Sequence, residues 1–285
     1  MTDWIKSSRN RFAPEILDTL LLAIDLDDVV DPVVHLPEPI PVACTQEEMA
    51  QCFSLCLQLW DEGVDRRTLR TLAHRLIIHG DLTEDDRFRY KQIRAFYKQL
   101  RFALALYGKR HKPPLLFRIS VALMGQLQDA FRNRQRRAIL THGLMLRAML
   151  CWPVWQAVRW EVNRTQIDNA AGFLAFRAAE FGRLRQWLTS DALTSHIFHS
   201  MRKIISRQVS FYDARKTLRP DDDYYKMSRF LSAINGLMGR MHDDLVEQHV
   251  AGQRDYHRDR VDLPIDIRQR LERVAFAYPD GTAAA

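Results

Sequence analysis

The chain has 285 residues, 47% apolar, 27% charged and 10% aromatic, enough for one large domain or two small ones with real cores. That content excludes a disordered chain, a collagen and a disulfide-stapled miniprotein. The net charge of +7 is segregated: residues 1–65 hold 3 Lys+Arg against 13 Asp+Glu, 66–86 hold 4 against 4, 87–164 hold 17 against 2 (Asp129 and Glu161), and 165–285 hold 18 against 16.

In chain order, the N-terminus (Met1-Thr2-Asp3-Trp4) lacks a basic region followed by an apolar stretch, which predicts no signal peptide. Residues 12–26 fit one short helix. Five of the eleven prolines, Pro14, Pro32, Pro37, Pro39 and Pro41, fall early in the chain, and 28–43 reads as an extended, partly polyproline linker. Asp25, Asp27, Asp28 and Asp31 make this an acidic arm, expected to dock on the chain's own cations. Thr45-Gln46-Glu47-Glu48 is a capping box, and Met49, Cys52, Phe53, Cys56, Leu57 and Trp60 then follow helical spacing. Asp65 is placed to cap a helix over 66–79 that ends at Gly80. Thr83-Glu84-Asp85-Asp86 starts another, reaching Tyr107-Gly108. Pro113-Pro114 predicts one helix over about 114–150, and Pro153 the next over about 154–188. Ser190-Asp191 starts 192–217, Pro220-Asp221-Asp222-Asp223 starts 224–250, and Pro264 opens a last helix to 277. Residues 279–285 read as a disordered tail. No period-2 strand with hairpin turns occurs. The expected fold is all-α, with two related antiparallel bundles, about 85–150 and 155–250. Ahead of them come the arm (1–43) and a helix pair (44–84), and 85–278 forms the main helical domain.

The basic residues are 34 Arg and 8 Lys, a bias toward planar, bidentate recognition of phosphate or carboxylate. Arg87, Lys91, Arg94, Lys98 and Arg101 are spaced 4, 3, 4, 3 along one side of one helix. No Asp or Glu lies between 87 and 128 to relieve their repulsion. The next helical stretch adds Arg132, Arg134, Arg136 and Arg137. A solvated helix normally mixes both signs, so this face is a candidate polyanion surface. Interleaved Trp152, Trp155 and Trp160 with Arg159 and Arg164 have the composition of a single-strand stacking platform, although tryptophans at that spacing usually form bundle core.

Leu123-Met124-Gly125-Gln126-Leu127-Gln128-Asp129 and Leu237-Met238-Gly239-Arg240-Met241-His242-Asp243 share Leu-Met-Gly-x-x-x-Asp, 114 residues apart. Each follows a basic helix: Lys91-Gln92-Ile93-Arg94 in the first half, and His199-Ser200-Met201-Arg202-Lys203 in the second, 108 residues apart. This arrangement resembles the CHAD family, the conserved histidine α-helical domain, over about 85–250. Lys91 stands where the family has its first histidine, and Ser206 and Gln208 stand where further cations or apolar residues are usual. The resemblance implies two helical bundles flanking a basic groove that binds inorganic polyphosphate without catalysis. Its phosphate contacts would be Arg87, Lys91, Arg94, Lys98 and Arg101 from one half and His199, Arg202, Lys203 and Arg207 from the other, with Arg132, Arg136 and Arg240 in support.

Other readings of the residues stay open. A nucleic-acid-binding protein would use the same cations, and a helical adaptor would offer them to an acidic protein. His196, His199, His242-Asp243-Asp244 and a distal Asp255, Asp259 or Asp262 have the ligand types of a metal-dependent HD phosphohydrolase. Cys44, Cys52, Cys56 and His74 have those of a zinc site, though Cys52 and Cys56 also fit an apolar helix face. No Gly-rich phosphate loop, His-Glu-x-x-His or Gly-x-Ser-x-Gly occurs. No catalytic residue, metal or cofactor is therefore expected. The cysteine spacing predicts reduced thiols in a cytoplasmic setting, and no run approaches the roughly 18 apolar residues of a membrane span.

Overall fold

The computed structural model describes residues 11–190 and 192–279. Among these residues the protein is all-α, with eleven helices and no strand. They are α1 (Pro14–Asp25), α2 (Gln46–Gly63), α3 (Arg66–His79), α4 (Glu84–Leu106), α5 (Leu115–Arg132), α6 (Arg136–Met149), α7 (Trp152–Asn163), α8 (Ala170–Leu188), α9 (Ser195–Leu218), α10 (Asp222–Val250) and α11 (Ile265–Ala277). The predicted tail lies outside the described residues except for Pro279.

The helix starts follow from local chemistry. Thr45 Oγ1 accepts from the Glu48 N–H at 3.2 Å while Glu48 Oε2 accepts from the Thr45 N–H at 2.8 Å, a reciprocal capping box at the head of α2. Asp65, Thr83 and Asp221 each accept backbone N–H bonds at the heads of α3, α4 and α10. Gly80, with φ of 81°, ends α3 in the left-handed region, where a glycine carries no Cβ penalty.

Two predicted helices are each broken. The stretch expected as one helix over 114–150 is α5 and α6, separated where Arg134 takes φ of 54°. A positive φ on a residue with a side chain cannot continue an α-helix, and neither proline nor glycine announces it. The stretch over 154–188 likewise divides into α7 and α8, with Asn169 capping the second through Gly172 N–H at 2.7 Å.

The chain separates into two compact units, one built on Phe53–Asp168 and the other on Phe12–Cys52 with the residues from Asn169 onward. The expected arm, 1–43, falls mainly with the second unit. The expected helix pair, 44–84, is divided between the two within α2.

In the first unit, α3 packs on α6 and α4 on α5. Its core centres on Trp60, whose ring lies 5.8, 5.7 and 5.5 Å from those of Tyr97, Phe117 and Trp155. In the second unit, α9 and α10 form the main antiparallel pair, with α1 against α9 and α11 against α8 and α10. Residues 29–45 form neither helix nor strand, with bends at 32–33 and 38–39, but they are not a free linker. Leu36 and Ile40 are buried. The Asn235 side chain donates to Asp27 O at 2.9 Å and to Asp28 Oδ1 at 2.7 Å. Arg229 donates to Asp31 Oδ2 at 2.6 Å. Gly236 makes this possible, because a Cβ there would collide with the Asp28 carbonyl oxygen.

Candidate functional site

The strongest local pattern is the same contact made once in each unit. On α4 of the first unit, the Arg94 guanidinium lies over Gly125 of α5, where an added Cβ would sit 3.7 Å from Nη2. On α9 of the second unit, the Arg202 guanidinium lies over Gly239 of α10, and an added Cβ would be only 3.0 Å from Nη2. A helical glycine costs about 1 kcal/mol relative to alanine, and here its missing side chain lets a guanidinium lie against a neighbouring helix. The Leu-Met-Gly repeat thus has a physical use: its glycine seats the arginine of the preceding basic helix.

Around Arg94, Lys91 is exposed, and neither residue meets a carboxylate within ion-pair distance among the described residues. Beneath them, Tyr90 is fully buried and donates to Met124 O at 2.9 Å, which fixes α4 against the Leu-Met-Gly turn. Lys98 Nζ and the Arg101 guanidinium lie 5.8 and 5.0 Å from the Phe102 ring centre.

Around Arg202, His199 and His242 stack with ring centres 4.6 Å apart. Tyr256 Oη bonds His242 Nε2 at 3.2 Å, and Asp243 Oδ1 is 3.7 Å from His242 Nδ1. Burial and the Arg202 and Lys203 cations hold the His242 pKa below the usual histidine range, against Asp243. Arg202 Nε is buried and makes no hydrogen bond among the described residues. Such a donor costs about 1–3 kcal/mol, which an anionic oxygen would offset.

Three of the predicted contacts are engaged within the protein. Arg87 pairs with Asp81, its Nε donating at 3.2 Å; the relieving acid lies ahead of the helix rather than within it. Arg136 donates to the Leu76 and Ile78 carbonyls at 3.3 and 2.9 Å, satisfying the C-terminus of α3. Arg207 pairs with the fully buried Glu180. These three serve as internal partners and drop out of the candidate phosphate-binding surface. Arg132, at the end of α5, and Arg240, on α10, are exposed.

The sequence did not reveal the buried network behind Arg207. Gln208 Nε2 reaches Glu180 at 3.4 Å and Gln208 Oε1 accepts from Arg177 at 2.9 Å. Arg177 also donates to Tyr212 Oη and to Val42 O at 3.1 and 3.3 Å. It is fully buried, 3.9 Å from the Phe211 ring centre and 5.4 Å from that of Tyr278. This network pins the non-helical segment after α1 to α8 and α9. An Arg and a Glu three residues apart on α8, a helix without a clear polar face, were the available signal.

Of the aromatic set, Trp155 is buried against Trp60, as core spacing implied, whereas Trp152 and Trp160 are exposed, with Arg164 4.6 Å over the Trp160 ring. Cys44, Cys52 and Cys56 are buried, and burial pushes the Cys44 thiol up to about 12. No three His, Cys, Asp or Glu side chains among the described residues are arranged to hold a metal ion. No single helix among them is long and apolar enough to cross a membrane. No protein-family model, curated protein or solved structure matches the chain.

Proposed function

We propose that the protein is a non-catalytic, CHAD-like binder of inorganic polyphosphate. The observation that carries this reading is the twice-made arginine-over-glycine contact with cations beside it: Lys91 and Arg94 in one unit, Arg202 and Lys203 with the His199–His242 stack in the other. Guanidinium forks suit a chain of tetrahedral phosphates, and each phosphate they neutralise releases counterions. The excess of positive charge over residues 87–164 supports an anion of high linear charge density. The test is competition. Long-chain polyphosphate displacing single-stranded RNA and heparin from the protein is the expected result, and equal affinity for all three contradicts a polyphosphate-specific surface.

Exposed Trp160 under Arg164 favours a second reading, single-stranded nucleic acid held by base stacking. On that reading Trp160→Ala weakens RNA binding and leaves polyphosphate binding unchanged. An acidic protein partner predicts instead a stoichiometric complex with a shallow salt dependence.

A further inference from the structure

A second basic cluster in the first unit is built from residues of α3 and α6. A pocket of about 320 Å³ is lined by Arg66, Arg67, Arg70 and Thr71, by His74, and by Arg147 of α6. Four guanidiniums converge there, and none meets a carboxylate within ion-pair distance among the described residues. The adjacent acid, Asp65, is occupied as the α3 cap by the Arg67 and Thr68 N–H groups and the Thr68 hydroxyl at 3.0, 3.1 and 2.6 Å.

The orientation of the lining is also informative. Arg66 donates to Leu150 O at 2.8 Å, which ties its guanidinium to the end of α6. Arg147 Nη1 meets His74 Nδ1 at 3.0 Å. A guanidinium can only donate, so in this contact His74 Nδ1 accepts and its Nε2 side faces away from Arg147. Apart from the Thr71 hydroxyl and the His74 ring, the side chains lining the pocket present only N–H donors. Arg66 and Arg70 repel at i, i+4, and the one acid at the head of α3, Asp65, is spent on the cap. Such an arrangement is unfavourable alone and complementary to a compact, multiply charged anion that only accepts hydrogen bonds.

We propose that this pocket binds an oligophosphate group of two or three phosphoryl units, free or as the tail of a nucleotide. Its size suits so small a ligand, and four cations, two of them held by Leu150 O and His74, match three to four closely spaced negative charges. The proposal does not rest on the polyphosphate surface, since the two share no residue.

The test is calorimetric titration of the full chain with tripolyphosphate, ATP and citrate. Saturable tripolyphosphate binding is expected, weakened at least about tenfold by Arg70→Gln/Arg147→Gln. Arg67→Gln/Arg70→Gln, both on the exposed side of α3, gives the same loss without touching the Arg147–His74 contact; far-UV circular dichroism checks its fold. ATP bound as tightly as tripolyphosphate identifies the phosphate tail as the whole determinant, and tighter ATP binding identifies a nucleotide. No saturation, binding unaffected by either arginine pair, or citrate bound as well as tripolyphosphate overturns the proposal. Loss only in Lys91→Gln/Arg94→Gln moves the small anion to the α4 face and also overturns it.

Discussion

Two glycines at matching places in the two units are predicted to respond differently to the same substitution. At Gly125 an alanine methyl makes ordinary contact with Arg94, so Gly125→Ala is expected to stabilise by about 0.5–1 kcal/mol through helix propensity. At Gly239 the methyl crowds Arg202 and must displace it, so the gain is smaller or absent. Urea midpoints of the two variants check this, and equal gains contradict the close approach of Arg202. Arg207 differs from the other predicted contacts because its partner, Glu180, is fully buried. Arg207→Ala is expected to cost about 1–3 kcal/mol by removing that carboxylate's nearest cation, leaving Arg183 at 3.6 Å and Gln208 at 3.4 Å, whereas exposed Lys91→Ala stays within about 0.5 kcal/mol. Chemical denaturation of both separates internal partners from free cations. His242 gives a pH signature. Its folded pKa is lowered by burial and by Arg202, so the unfolded chain binds the proton more readily. Stability is therefore full above about 6.5 and falls as pH drops from there toward the folded value. His242→Gln is expected to flatten that acid-side loss, read as the change in urea midpoint between about pH 5 and about pH 8. An unchanged slope contradicts the buried, cation-facing placement.

At the scale of elements, the non-helical segment after α1 behaves as a structural strap. Its Asp31 binds Arg229 and its Asp28 binds Asn235, both within the second unit. These contacts give the arm a packing role within the second unit, beside the expected masking of a basic surface. Gly236→Ala, which collides with the Asp28 carbonyl, is expected to destabilise by about 1–3 kcal/mol. Stronger polyphosphate binding in a still-folded variant supports the masking role, and unchanged binding limits the arm to packing. Much of this level was legible in the sequence. Thr45 with Glu48, Asp65, Thr83, Gly80 and Asp221 signal their helix ends through local hydrogen-bonding chemistry, which is encoded within four residues. The break at Arg134 was not legible, because the left-handed position of a helix-ending turn, closed by Gln135 N–H on Ala130 O and Arg134 N–H on Phe131 O, falls on a residue type that rarely takes it. The Arg177–Gln208–Glu180 network was hidden for a related reason. Whether a charged residue in a helix points to water or to the core depends on partners far along the chain, such as Val42.

At the scale of the whole molecule, the net charge of +7 is less informative than its placement. The acidic N-terminal quarter is partly consumed by specific partners: Asp31 by Arg229, and Glu48 by Arg215. Burial raises the Glu48 carboxyl, and its bonds to Arg215 and Thr45 more than reverse this, leaving its pKa at about 2. The positive stretch keeps Lys91 and Arg94 without carboxylate partners among the described residues. The candidate site was therefore half legible. The spacing of the cations and the Leu-Met-Gly repeat identified where arginine meets glycine. Which cations are already engaged by Asp81, Glu180 or a helix C-terminus required the fold.

The central claim, that both units present phosphate-binding cations, is tested most directly by the salt dependence of long-chain polyphosphate affinity. Wild type is compared with Lys91→Gln/Arg94→Gln and with Arg202→Gln/Lys203→Gln. The account predicts a steep linear fall of log affinity with log salt, and a slope shallower by roughly one to two in each double variant, following about 0.7 per lost contact. An unchanged slope in both variants, or no measurable binding by the wild-type protein, would contradict it.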